Sequence, residues 1–171
     1  QTTSSALPLN DLDQRTTYHL QTSPEFFMKR LLASGYQSIF QISKAFRDEE
    51  QGSHHNPEFT MIEWYRLGFT QFELMSEMEE LFQEILSVES CESISYQNVF
   101  KKHVGIDPLE TSKESLISLI KLKEKYEDWL IKEEFDDLLQ FIFSEIIEPS
   151  IGEQVPCFIY NFPVSQASLA K

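Results

Sequence analysis

Arg47, Glu49, Phe59, Glu63 and Tyr65 are the residues whose types and spacing could do chemistry. A guanidinium is a planar fork for a phosphate or a carboxylate. A phenylalanine ring is a flat apolar surface for a purine. Carboxylates hold ammonium groups, and a phenol can orient one. Together these groups suit an adenine nucleotide and an amino acid bound side by side. Side chains of an extended chain alternate between faces, so Arg47 and Glu49 share a side if Glu49 is still extended, and Phe59, Glu63 and Tyr65 share one too. If both sets face the same way, one surface carries them all, with Ile62 and Trp64 on the opposite face where a core is expected. A surface hairpin with ordinary cross-strand ion pairs has the same pattern, so the residues alone leave two readings open.

The elements that must position these groups are legible around them. Ser38 to Arg47 alternates, with Phe40, Ile42 and Phe46 on one side and Gln41, Ser43 and Arg47 on the other. The polar segment from Glu50 to Pro57 follows, and Glu58 to Arg66 is again extended and rich in aromatic residues. This predicts an antiparallel hairpin with a long polar tip, the kind of loop that is more often functional than structural. Upstream, residues 1–17 read as loop and 18–22 as a short strand. Ser23-Pro24-Glu25 is a helix start, with Ser at the N-cap and Pro at the first helical position. Phe27, Met28, Leu31 and Leu32 give that helix its apolar stripe, and Gly35 can close it. Downstream, Thr70-Gln71-Phe72-Glu73 is a capping box opening a helix to about Leu86. Residues 112–125 and 127–148 read as two amphipathic helices and 156–162 as a short strand. The order predicts an α+β domain on an antiparallel sheet.

With 28 acidic against 14 basic side chains, the formal charge of −14 argues against tight non-specific binding to nucleic acid. No apolar run approaches the ~18 residues of a membrane span, and no signal-peptide pattern opens the chain. Cys91 and Cys157 cannot build a disulfide framework, lack metal-site spacing, and read as buried or idle thiols of a reducing cytoplasm. His54-His55 lacks ligand geometry, so no metal is expected on the chain itself. His19 and His103 are expected to be exposed, and the Lys121, Lys123, Lys125 cluster reads as a solvated helix face. The chain opens at Gln1 rather than Met and stops at Lys171, so a longer protein is expected.

Phe46-Arg47-Asp48-Glu49-Glu50, followed by His55-Asn56-Pro57-Glu58-Phe59-Thr60-Met61-Ile62-Glu63-Trp64-Tyr65, resembles motif 2 of the class II aminoacyl-tRNA synthetases. The subgroup is the one that activates lysine, aspartate and asparagine. The resemblance implies that family's antiparallel sheet flanked by helices. Residues 1–171 would then be a fragment of a single catalytic domain with motif 2 at about 38–66. Motif 1 is not visible, and motif 3 would lie past Lys171 together with the Mg²⁺ ligands. The resemblance gives Arg47 the catalytic role, on the α-phosphate and the substrate carboxylate. Glu49 and Asn56 would contact adenine with His55 and Asp48 close by, and Phe59 would stack on the ring. Ser23, Pro24 and Glu25 match the family's substrate loop, with Glu25 on a substrate amino group, and Glu63 and Tyr65 would line the amino-acid pocket. ATP with Mg²⁺ is implied, as is a homodimer.

Three stretches depart from lysyl-tRNA synthetases. Ser23-Pro24-Glu25 stands where A-P-E is usual, and Glu63-Trp64-Tyr65-Arg66 where E-L-Y or E-F-Y is usual. Phe162-Pro163-Val164-Ser165-Gln166-Ala167-Ser168-Leu169-Ala170 replaces P-x-E-x-S-P-L-A. All three resemble the truncated lysyl-tRNA synthetase paralogues that attach (R)-β-lysine to a lysine of elongation factor P. This likeness implies a cytoplasmic, AMP-forming ligase with a protein acceptor, using neither tRNA nor a membrane. Two alternatives remain at this point: lysyl-tRNA synthetase itself, and a catalytically silent paralogue used as a binding module.

Overall fold

The computed structural model describes residues 8–10, 17–47, 56–123, 125 and 128–167. Contacts divide the chain into two compact units, Gln1–Leu74 and Met75–Lys171. In the first, β1 (Pro8–Asn10) pairs antiparallel with β2 (Thr17–His19). Helix α1 (Glu25–Ala33) begins one residue later than the cap pattern predicts, with Pro24 as the flanking residue. The Ser23 hydroxyl still does a cap's work, accepting the Glu25 backbone N–H at 3.0 Å. Of the expected apolar stripe only Met28 is buried, while Phe27 and Leu31 are exposed.

Strands β3 (Ile39–Phe46) and β4 (Glu58–Tyr65) form the predicted hairpin, in a register running from Ile39 opposite Tyr65 to Phe46 opposite Glu58. Directly opposed residues share a face, so Gln41, Ser43 and Ala45 stand with Glu63, Met61 and Phe59, all half-buried or buried. The other face carries Phe40, Ile42 and Ile62, which are 72%, 62% and 49% exposed. A core was expected behind Ile62 and Trp64; the covered face is instead the one that carries the polar groups. The segment entering α1 is tied to the edge of β3, where the Phe46 N–H donates to the Gln21 carbonyl and the Gln21 amide to the Lys44 carbonyl, both at 2.9 Å. Pro24, Met28 and Ala45 are buried.

Helix α2 (Gln71–Leu86) spans the division between the units. Its capping box is formed as predicted: the Thr70 N–H donates to Glu73 Oε2 at 2.7 Å, and the Glu73 N–H to Thr70 Oγ1 at 3.5 Å. The bond from the Thr70 N–H holds the Glu73 carboxyl below its usual range. In the second unit β5 (Glu92–Ser95) runs straight into α3 (Tyr96–Val104), which Ser95 caps and a left-handed Gly105 ends. Helices α4 (Lys113–Leu122) and α5 (Phe135–Ile142) follow. The single helix expected over 127–148 is broken into a 3₁₀ turn at Asp128–Lys132, α5 and a π turn at Phe143–Ile147. Strand β6 (Cys157–Tyr160) pairs parallel with β5, so the strands of the chain are not all antiparallel. No described helix is long and apolar enough to cross a membrane.

The core lies in this second unit, where Val99, Phe100, Leu116, Ile120, Leu130, Leu138, Ile142 and Ile147 lose essentially all exposure. Tyr96 joins it, with its ring 4.7 Å from Phe100 and 4.8 Å from Phe162, and burial pushes its phenol up to about 12. Phe162, the Ser165 bond to Asp136 at 2.9 Å and the Gln166 bond to Tyr96 at 3.5 Å fasten the segment after β6 onto the helices. Leu138→Ala should therefore lower stability in urea unfolding by about 2–5 kcal/mol. Ile42→Ser on the open hairpin face should change it by under ~0.5 kcal/mol; equal losses would contradict this division.

Candidate active site

The inner face of the hairpin gathers the site from three short stretches. At its open end Glu63 is the hub. Its Oε2 accepts the Ser23 hydroxyl at 2.8 Å and its Oε1 accepts the Tyr65 hydroxyl at 2.5 Å. Ser23 reaches it because the cap turn of α1 aims that hydroxyl at both the Glu25 N–H and β4. Burial raises the Tyr65 phenol above its usual range, the bond to Glu63 raises it further, and the charges of Glu63 and Glu25 add to the shift. Glu25 Oε1 is itself held by the Lys29 ammonium one helical turn on, as an exposed ion pair.

Toward the loop end, Arg47 continues the same face. Its backbone N–H donates to the Pro57 carbonyl at 2.9 Å, extending the ladder by one rung. Its Nε donates to the Thr22 carbonyl at 3.4 Å, and the guanidinium carbon stands 5.2 Å from the centre of the Phe59 ring. A cation over an aromatic face is attractive in its own right, so the ring and the fork are oriented together. Phe59 is half-buried on the face rather than sunk in a core. Glu63 lies four steps along the strand from Phe59, roughly 13 Å, which leaves room for a phosphate and a short amino acid between a stacked purine and the carboxylate.

Thus Ser23, Pro24, Glu25, Arg47, Phe59, Glu63 and Tyr65 all lie in this first unit, and hydrogen bonds or ring contact link Ser23, Glu63 and Tyr65 at one end and Arg47 and Phe59 at the other. Asn56 is described and exposed, two residues before β4. Asp48, Glu49 and His55, and with them His54, lie outside the described residues. The register also puts Gln41 directly opposite Glu63; the period-two reading had set Gln41 on the Arg47 side without giving it a role. Elsewhere, Cys91 and Cys157 are half-buried free thiols, each pushed up by burial. His19 is exposed as expected, but His103 is half-buried, and its Nε2 is closed off with no hydrogen-bond partner among the described residues. Among the described residues no group of three or more His, Cys, Asp or Glu could hold a metal ion.

The profile of the family described as tRNA synthetases class II (D, K and N) matches residues 4–171. The chain belongs to that family, and its helices and antiparallel hairpin are consistent with the α+β architecture expected. Among curated relatives, a protein of Pseudoalteromonas translucida is 54% identical over 154 residues, covering 90% of this chain and 47% of the relative. One from Mannheimia succiniciproducens is 51% identical over 155 residues, covering 91% and 47%. One from Histophilus somni is 48% identical over 170 residues, covering 99% and 52%. All three carry the name elongation factor P–(R)-beta-lysine ligase. The chain spans about half the length of the curated relatives it matches.

The raised Tyr65 phenol gives a test of the network. A group raised on folding contributes stability that is complete below its unfolded value near pH ~10 and lost as the pH climbs through the folded one. Tyrosinate absorbance followed to pH ~11 should therefore have the same amplitude in wild type and Tyr65→Phe. A loss of one tyrosine's worth of signal in the variant would show that Glu63 does not hold the phenol protonated.

Proposed function

We propose that this chain is the motif 2-bearing part of a ligase that activates (R)-β-lysine with ATP and transfers it to a lysine side chain of elongation factor P. The observation that carries the reading is the inner wall of the hairpin, with a guanidinium and ring at one end and a carboxylate holding two hydroxyls at the other. The names of the relatives and the Ser23-Pro24-Glu25 and Glu63-Trp64-Tyr65 variants favour a protein acceptor over tRNA.

In this reading the purine lies on Phe59, with Asn56, Asp48, Glu49 and His55 around it. The amino-acid carboxylate attacks the α-phosphorus of ATP; a new P–O bond forms as the bond to pyrophosphate breaks. No side chain has to act as a nucleophile, so rate comes from positioning and from charge stabilisation at phosphorus. Arg47 supplies that charge, and its tie to Thr22 with its stacking on Phe59 restricts where the fork can point. At the far end Ser23 and Tyr65 spend their protons on Glu63. Their oxygen lone pairs are then left to accept from a substrate ammonium, while Glu63 and Glu25 balance its charge. The acceptor's ε-amine then attacks the acyl carbon and AMP leaves. Mg²⁺ is expected with ATP on acidic side chains of the full-length protein, and it enters none of these steps.

Arg47→Ala in the full-length protein should cut ATP–pyrophosphate exchange by ~10²–10³-fold with an unchanged circular dichroism spectrum. Exchange at the wild-type rate would refute the role given to Arg47. Tyr65→Phe should weaken binding of the lysine analogue more than that of ATP in calorimetry, because a site built for a polar group tolerates its loss badly. Equal weakening of both ligands would count against the amino-acid pocket. In the transfer step, label should move from the adenylate to elongation factor P; transfer to tRNA alone would favour the lysyl-tRNA synthetase reading.

A further inference from the structure

Gln41 faces Glu63 directly across the ribbon, and opposed residues of an antiparallel pair bring their Cβ atoms to roughly 4.5–5.5 Å. It is half-buried on the inner face. The polar side chains around it are engaged: Ser23 and Tyr65 with Glu63, and Arg47 with Thr22 and Phe59. Gln21, the nearest comparison, spends its amide on the Lys44 carbonyl. The Gln41 carboxamide makes no hydrogen bond among the described residues. It is not sealed in either, since the closed-off polar atoms without a partner there are Ser43 Oγ and His103 Nε2. A half-covered amide opposite a carboxylate, with no hydrogen bond among the described residues, is free to serve a ligand rather than the packing.

We propose that Gln41 is a further substrate-contacting residue, whose carboxamide oxygen accepts from the amino group of the bound amino acid next to Glu63. The inference rests on reading the inner face of the hairpin as the amino-acid pocket. An amide suits the position for a reason of charge. It adds an acceptor without a third carboxylate beside Glu63 and Glu25, where like charges would push one of the acids toward its neutral form. Its NH₂ can in turn donate to a Glu63 oxygen, which still has lone pairs to spare after two hydroxyl bonds. Gln41 would thereby connect the ammonium to the carboxylate network from the β3 side, as Tyr65 and Ser23 do from β4 and the α1 turn.

The test uses the full-length protein and Gln41→Met, which keeps the side chain's length and removes only the amide. ATP–pyrophosphate exchange should show the KM for (R)-β-lysine raised ~10-fold or more, as expected for losing a hydrogen bond to a charged group. The KM for ATP and kcat should move by less than about threefold, well short of that loss. An unchanged amino-acid KM, or an equal rise for both ligands, would overturn the proposal. Glu63→Gln, measured alongside, separates the two levels. If it raises the amino-acid KM and Gln41→Met does not, the inference about Gln41 fails alone; if neither does, the reading of the pocket fails with it. Should Gln41→Met unfold, Gln41→Asn, which withdraws the amide by one methylene, should give the same selective rise in KM.

Discussion

The register of β3 against β4 is the constraint on which the rest of the site depends. With Ala45 opposite Phe59 and Gln41 opposite Glu63, the side chains of Gln41, Phe59, Glu63 and Tyr65 fall on one face. A slip of one residue would turn that whole set over, because the side-chain period of a strand is two. Ala45 contributes by being small: it is fully buried beside Phe59, and the pair places the ring where Arg47 can lie over it. The Gln21 bonds along the edge of β3 secure the same register from the other side, and they bring Thr22 and Ser23 to the face where their polar atoms are used.

The Glu63 end of the wall is a pre-assembled network rather than a set of separate charges. A carboxylate that already accepts two hydroxyl protons is fixed in orientation, and each hydroxyl it fixes presents its lone pairs in a known direction. Ser23 matters in this respect because it serves two elements: its oxygen accepts the Glu25 N–H at the start of α1 and its proton goes to Glu63 on β4. Alanine at that position, as in the usual A-P-E, would leave the helix start without its cap and Glu63 with one hydroxyl fewer. The second unit has its own core around Tyr96 and Phe100.

What could be read in the sequence was whatever depends on period and local signals. Alternation grouped Arg47 with Gln41 on one strand and Phe59 with Glu63 and Tyr65 on the other, the register of the two strands joined these sets on one face, and the capping box at Thr70 gave the start of α2. The covered face of the hairpin was misjudged because alternation separates two faces without saying which one is packed; here Phe40, Ile42 and Ile62 are the open side. Helix α3 went unread although Ser95 and Gly105 bracket it, since it is only nine residues long and follows β5 without a loop. The break in 127–148 comes at the Glu134 start of α5, in an acidic stretch, and at the π turn from Phe143, which periodicity cannot resolve. Gln41 was on the right side in the pattern, but only the register shows that it faces Glu63. The adenine contacts proposed for Asp48, Glu49 and His55 rest on family likeness.

The claim that one wall of this hairpin holds the adenylate is most directly tested by a crystal structure of the full-length protein with a non-hydrolysable lysyl-adenylate analogue. The account predicts the purine against Phe59, the phosphate mimic at Arg47 and the distal ammonium at Tyr65 and Ser23. An analogue bound to the Phe40 and Ile62 side, or away from the hairpin altogether, would contradict it.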